Sequence, residues 1–150
     1  MKTYGHLEYE DNGVLSRFRV TEMQPHAATL FKRMFPRIRP YDAVPFALTA
    51  TDEIARDLDW FMHRFPMEVT GAATSAIAQG LLRLDEREEN ALKIMQLGAD
   101  VAHGAFRDGE APFPYQAQAA ALCLSQGALL LADDVGLGKT VSAMALQAQG

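Results

Sequence analysis

Residues 128–144 read ALLLADDVGLGKTVSAM and contain the pattern that decides the predicted fold. The run ALLLA at 128–132 is continuously apolar, which is typical of a strand buried on both faces of a parallel sheet. A glycine-rich turn follows, and KTVSAMALQAQ at 139–149 has the composition of a helix. Upstream, YQAQAAALCLSQG at 115–127 predicts an alanine-rich helix that ends at a glycine. Helix, strand, glycine turn and helix in this order predict an α/β unit.

The glycine turn has the chemistry of a phosphate-binding loop. Gly136 and Gly138 have no side chain that would block a phosphate, so successive backbone N–H groups can converge on it. The following helix adds its unpaired N-terminal amides and the positive end of its dipole. Lys139 is placed to contact the β- and γ-phosphates of a nucleoside triphosphate, and Thr140 offers a hydroxyl to the Mg²⁺ between them. Lys139 is therefore the candidate catalytic residue and Thr140 the candidate metal ligand.

One position departs from the general pattern of such loops. The pattern G-x-x-x-x-G-K-[ST] places its first glycine at position 133, where this chain has Asp133. The alternative is an ordinary turn before a structural helix, with Lys139 merely solvated. The buried-strand pattern at 128–132 does not depend on the glycines, and it favours the phosphate loop.

The segment LLADDVGLGKT at 130–140 resembles motif I of the Snf2-type branch of superfamily-2 helicases. That motif has an acidic pair, a hydrophobic residue and then GLGKT, so the family also lacks the first glycine. The family has a short upstream motif, Leu-Arg-Pro-Tyr/His-Gln, whose glutamine contacts adenine. PFPYQ at 112–116 matches it at the proline, tyrosine and glutamine, whereas Phe113 stands where the family often has a basic residue.

The resemblance implies ATP and Mg²⁺ as cofactors and DNA, as a duplex, as the partner of the motor. A side-chain amide can pair with the N6 and N7 edge of adenine, although Gln116 has the alternative of capping its own helix. The expected contacts with ATP are Tyr115, Gln116, Asp134, Val135, Gly136, Leu137, Gly138, Lys139 and Thr140.

The resemblance covers only about residues 112–150. The family's DExH-type box and its second RecA-like lobe do not occur in the 150 residues, and DERE at 85–88 precedes the loop in a polar helix. We therefore expect the N-terminal part of an ATP-dependent DNA helicase or translocase. By themselves these residues are expected to bind ATP very weakly or not at all and not to hydrolyse it. The alternative is a stand-alone DNA- or protein-binding module with a vestigial loop.

The sequence predicts an α/β chain with three parts. A small α+β domain at 1–69 would contain a hairpin around DNG, a helix at 26–35, a strand at 44–50 and a helix at 51–65 capped by Thr51. MEV would add one short strand. Residues 70–110 would form a helical connector, with a linker or loose helix at 70–80 and a helix at 81–97. Residues 111–150 would be the truncated start of a RecA-like P-loop NTPase domain.

Composition agrees with a cytoplasmic protein, or one located wherever its DNA lies. Hydrophobic residues make up 49% and charged residues 22%, and the formal net charge is −5. No apolar run approaches the roughly 20 residues of a membrane helix, and the N-terminus lacks the pattern of a secretory signal. The single cysteine, Cys123, excludes an intramolecular disulfide and a Cys-rich zinc site. No membrane partner is expected.

The segment FKRMFPRIRP at 31–40 contains four basic residues and no acid. Its basic and aromatic side chains have two interpretations: contacts with nucleic-acid phosphates and bases, or a solvated helix end whose aromatics belong to the core. Residues 1–69 contain nine basic and ten acidic side chains, which favours the second interpretation. The four histidines share no metal-ligand spacing.

Overall fold

The computed structural model describes residues 3–98, 111–129 and 139–149. These residues form an α/β protein with a four-stranded mixed sheet and five helices in the described part. The chain divides into two compact units, Met1–Leu84 and Asp85–Gly150. The sheet lies in the first unit, and the division falls inside the longest helix. The coarse α/β class is therefore as predicted.

The first unit begins with the predicted hairpin. Strands β1 (Gly5–Asp11) and β2 (Ser16–Met23) are antiparallel, and the turn lies at the Asn-Gly pair. Gly13 has a φ of 79°, a left-handed conformation that glycine adopts without strain. Asn12 Oδ1 accepts hydrogen bonds from the backbone N–H groups of Val14 and Leu15, so the side chain stabilises the same turn.

Two short strands complete the sheet in the order β3-β2-β1-β4. Strand β3 (Phe46–Thr49) is antiparallel to β2, and β4 (Glu68–Val69) is parallel to β1. Side chains alternate between the two faces, as the pleat requires. One face carries the buried side chains of the strands, and the other carries polar residues such as Glu10 and Arg17.

Helices α1 (Pro25–Met34) and α2 (Asp52–Arg64) lie close to their predicted ranges. Thr51 caps α2 as predicted, because its side-chain oxygen accepts a hydrogen bond from the backbone N–H of Ile54 at 3.3 Å. Both helices contribute to the same core as the strands. Its central buried side chains are Leu7, Phe18, Val20, Phe31, Leu58 and Phe61.

Helix α3 runs without interruption from Gly71 to Leu97, so the segment 70–80, predicted as a linker or a loose helix, is helical from Gly71 and continuous with the predicted helix at 81–97. The small residues of 70–80 pack closely instead of forming a linker: Ala73 and Ile77 are buried in the first core. The first unit therefore extends to Leu84, beyond residue 69, where the sequence predicts its end.

The second unit contains α4 (Pro114–Gln126) and α5 (Lys139–Gln149), both at their predicted positions. Gly127 ends α4 in a left-handed conformation with a φ of 78°. The predicted strand at 128–132, apart from its first two residues, and the predicted loop at 133–138 lie outside the described residues, so the RecA-like lobe stays a prediction. In the described ranges, no helix is long and apolar enough to cross a membrane.

Candidate nucleotide-binding site

Helix α5 begins at Lys139, directly after the glycines of the predicted loop. The two residues that would contact phosphate and Mg²⁺ therefore occupy its first turn, where backbone N–H groups have no intrahelical partner. Thr140 is exposed. The other loop residues predicted to contact ATP lie outside the described residues: Asp134, Val135, Gly136, Leu137 and Gly138.

Gln116 lies in the first turn of α4 and is buried, with 3% of its surface exposed. Its Oε1 accepts a hydrogen bond from the backbone N–H of Phe113 at 2.9 Å, and its own backbone N–H donates to the Phe113 carbonyl at 2.9 Å. Gln116 therefore caps its helix, which is the alternative role that its position in the sequence left open.

Two aromatic rings flank Gln116 at the start of α4. The rings of Phe113 and Tyr115 are stacked, with centroids 5.9 Å apart and planes inclined by 10°. The Gln116 Nε2 donates a hydrogen bond to the Tyr115 hydroxyl at 3.3 Å. Because both rings are exposed, the turn presents a flat aromatic surface beside a buried amide.

Helices α4 and α5 pack through small side chains. Ala117 and Ala120 of α4 form a cluster with Ala145 and Leu146 of α5. Small side chains at a contact allow two helix backbones to approach closely. The Pro-Tyr-Gln turn and the helix that follows the predicted loop thus belong to one packed pair.

Glutamines of α4 also bond to the C-terminal half of α3, which belongs to the same unit. The Gln118 Nε2 donates to the carbonyl oxygens of Ile94 and Met95 at 2.9 and 3.1 Å. The Gln126 Nε2 donates to the carbonyl oxygen of Arg87 at 3.1 Å. The Met95 carbonyl lies in the last turn of α3, where carbonyls have no intrahelical partner, and the Ile94 carbonyl also accepts a hydrogen bond from the Gly98 N–H. Sequence reasoning missed the glutamine bonds, because a glutamine on an alanine-rich helix has no pattern that identifies its partner.

Ser142 is a second buried polar residue in this unit, in the second turn of α5. Its Oγ has no hydrogen-bond partner, and this is the one such buried side-chain atom among the described residues. An unsatisfied buried hydroxyl costs about 1–3 kcal/mol, because the group loses its hydrogen bonds to water. No sequence pattern marks this serine.

The charged groups in the described part of the chain include an ion pair on the sheet, but they form no cluster of metal ligands. No group of three or more His, Cys, Asp or Glu residues is placed there to hold a metal ion. On the polar face of the sheet, Arg19 Nη1 bonds to Glu10 Oε1 at 2.8 Å. This hydrogen bond and the charge of Glu10 raise the pKa of Arg19 above its ordinary value.

No protein-family model, curated protein or solved structure matches this chain. The resemblance to Snf2-type helicases therefore depends on the motif residues alone. Its implications for function are proposals.

Proposed function

We propose that residues 111–149 are the ATP-contacting start of the first lobe of an Snf2-like, ATP-dependent DNA translocase. One observation carries the proposal: helix α5 begins at Lys139, directly after GLG, and packs against the helix whose first turn contains Tyr115 and Gln116. A phosphate-binding turn and an adenine-binding turn must be held together if they are to bind one nucleotide. The alanine contact between α4 and α5 supplies that connection.

The phosphate chemistry follows from the first turn of α5. Its backbone N–H groups and the positive end of the helix dipole favour an anion. Lys139 would add a positive charge at the β- and γ-phosphates, and Thr140, which is exposed, would offer its hydroxyl to Mg²⁺. Both residue types suit these roles: an ammonium group for phosphate oxygens and a hydroxyl oxygen for a hard cation.

The adenine chemistry follows from the orientation of the Gln116 amide. The capping bond from the Phe113 N–H holds the carbonyl oxygen in place, and the Nε2 group donates to the Tyr115 hydroxyl. On binding, the Nε2 would donate to adenine N7 in place of Tyr115, while the carbonyl oxygen would accept from the N6 amino group. The cap would thus orient the amide for adenine.

Hydrolysis requires groups that these residues do not contain. Transition-state charge on the γ-phosphate must be neutralised, and a water molecule must be positioned for attack. The 150 residues contain no DExH-type box that would hold the ion and orient that water. The proposed role of this unit is to bind and position ATP, while residues of the parent motor would complete the reaction and couple it to movement along DNA.

The reading frame that encodes these residues provides the first test. We expect the DNA downstream of codon 150 to continue in frame, with a DExH-type box and a second lobe. DNA-stimulated ATP hydrolysis by the product of that frame is then the decisive measurement. Lys139→Ala should abolish it, whereas Lys93→Ala, which removes an exposed lysine paired with Glu89, should leave it unchanged.

Two results would contradict the proposal. One is a stop codon at position 151, and the other is ATP hydrolysis that Lys139→Ala leaves intact. Substitution of Gln116 tests the adenine contact separately. Gln116→Ala should raise the KM for ATP while reducing the preference for ATP over GTP. Loss of stability with an unchanged preference would assign Gln116 to the cap alone.

A further inference from the structure

We infer that the last residues of helix α1 and the loop after it form a binding surface for single-stranded nucleic acid. The basic loop is defined here as residues 33–41, and its chemistry resides in Arg33, Arg37, Arg39 and Tyr41. It lies in the first unit and is independent of the proposed nucleotide site. The inference depends on which side chains of this segment are buried or bonded within the first unit and which are exposed.

The apolar side chains of this region and its single lysine make contacts within the first unit. Phe31, Phe35 and Ile38 are buried in the core. The Lys32 Nζ donates a hydrogen bond to the Pro40 carbonyl at 2.8 Å and lies 5.5 Å from the centroid of the Phe46 ring. Both contacts tie the loop to its own unit. Phe31 and Phe35 therefore belong to the core, and Lys32 has a structural role within the unit.

The three arginines remain at the surface. Arg33, Arg37 and Arg39 are all exposed, and no carboxylate of the described residues forms an ion pair with any of them. The segment 33–42 contains one acid, Asp42, against three arginines, and Asp42 Oδ2 accepts a hydrogen bond from the backbone N–H of Arg39 at 3.0 Å. This bond closes the turn. Three guanidinium groups are thus presented on a loop that its own contacts hold in place.

Tyr41 gives the surface its preference for single strands. Its side chain is 77% exposed, an unusual position for an aromatic ring. The Arg39 guanidinium lies over this ring, 6.0 Å from its centroid, and its Nη1 is 3.4 Å from the Tyr41 hydroxyl. An exposed ring beside arginines can stack on a nucleobase while the arginines contact the neighbouring phosphates. A duplex hides its base faces, so only an unpaired strand can use both features.

The distribution of acids leaves the basic loop locally positive. Residues 1–84 contain ten basic and ten acidic side chains, so the first unit as a whole attracts no polyanion. Apart from Asp42, however, every acid lies on a strand of the sheet or on helix α2. Residues 33–42 themselves carry three positive charges and one negative charge, so the basic loop is positive within its own sequence.

Fluorescence anisotropy of the full chain with a labelled oligothymidine of about 20 nucleotides tests the inference. We expect tighter binding to this strand than to a duplex of the same length. Three phosphate contacts predict that log Kd rises with log salt concentration with a slope of about 2. The triple variant Arg33→Gln, Arg37→Gln, Arg39→Gln should remove most of this slope. Tyr41→Ala should weaken binding about tenfold with the slope unchanged, and Tyr41→Phe should retain binding.

A matched control removes the same charge elsewhere in the first unit: Arg17→Gln, Arg56→Gln, Arg64→Gln. These residues are also exposed, so the control should keep both the affinity and the slope. Equal losses in the two triple variants would overturn the inference, as would equal affinity for single strand and duplex. Binding of polyphosphate or an acidic peptide as tight as that of the oligonucleotide, and unaffected by Tyr41→Ala, would also overturn it. Because every substituted side chain is exposed, the unfolding midpoints should not change.

Discussion

Gly80 of helix α3 lies directly against Ala55 of helix α2: a methyl carbon added at residue 80 would lie 2.7 Å from the Ala55 Cβ. Real carbon atoms do not approach so closely, and neither side chain has a flexible end that could move away. The absence of a side chain at residue 80 therefore allows the two helices to come together. The buried position of Gly80 agrees with this role.

Gly80→Ala should destabilise the first unit although alanine is the better helix former. Overpacking costs about 1–3 kcal/mol, and the gain in helix propensity offsets about 1 kcal/mol of it. Urea unfolding should show a net loss of up to about 2 kcal/mol relative to the unchanged chain. Gly71→Ala is the matched control, because no atom lies within 4 Å of its added methyl carbon. A Gly80→Ala variant as stable as that control would show that the helices can move apart at no cost.

Thr51→Ala should destabilise the first unit by about 1 kcal/mol, the usual value of an N-cap. The reason is the hydrogen bond that the Thr51 hydroxyl oxygen accepts from the Ile54 N–H at the start of α2. Chemical denaturation measures the loss, and Thr51→Ser should recover most of it because serine keeps the oxygen. If serine and alanine were equally destabilising, the lost methyl group rather than the cap would be responsible.

Arg83→Met should cost about 0.5–1 kcal/mol, an effect that salt should reduce. The Arg83 Nη2 and Nε lie 2.8 and 2.9 Å from the Asp52 Oδ1, and the Asp52 side chain is only 11% exposed. Solvent screens the guanidinium, which is 52% exposed, so the larger values of buried pairs do not apply. Unfolding at low and at high salt measures the difference. Arg64→Met, which removes an exposed arginine, should show no salt-dependent loss.

Ser142→Ala should stabilise the second unit by about 1 kcal/mol, because it removes a buried hydroxyl that makes no hydrogen bond in the described part of the chain. Part of this gain would come from helix propensity alone. Ser125→Ala on α4 measures the contribution of helix propensity. The additional stabilisation by Ser142→Ala is then due to removal of the buried hydroxyl. Destabilisation by Ser142→Ala would mean that the hydroxyl has a partner in solution, and its effect on ATP binding would then become the informative measurement.

Local patterns in the sequence predicted most elements of the fold. The hairpin at Asn12–Gly13 and the helix after Thr51 depend on backbone conformations and caps that neighbouring residues specify by themselves. Helix α3 was predicted in two pieces because the small residues of 70–80 are equally typical of a linker. The structure packs this segment against the first core through Ala73 and Ile77 and places Gly80 against Ala55, and such contacts between residues far apart in the chain leave no local pattern.

The sequence predicted which residues belong to the candidate site, but not how their side chains are arranged. The sequence predicted a helix that begins near Lys139 and a turn that contains Gln116, and both are present. The hydrogen bond between Gln116 and the Phe113 N–H was foreseen only as an alternative, because capping and adenine recognition use the same amide. Ser142 was not foreseen, since burial of a single serine depends on tertiary packing.

The order of the sheet has a consequence for how the first unit folds during synthesis. Strand β1 pairs with β2 on one side and with β4 on the other, so the first strand to leave the ribosome is joined to the last. The hairpin can form at once, but the sheet stays open until Val69 has emerged, and the core until Ile77 follows. Until then the backbone N–H and C=O groups on the outer edge of β1 are unpaired. A strand of another chain can pair with such an edge. A nascent chain stalled before residue 68 would therefore be at its most prone to aggregate.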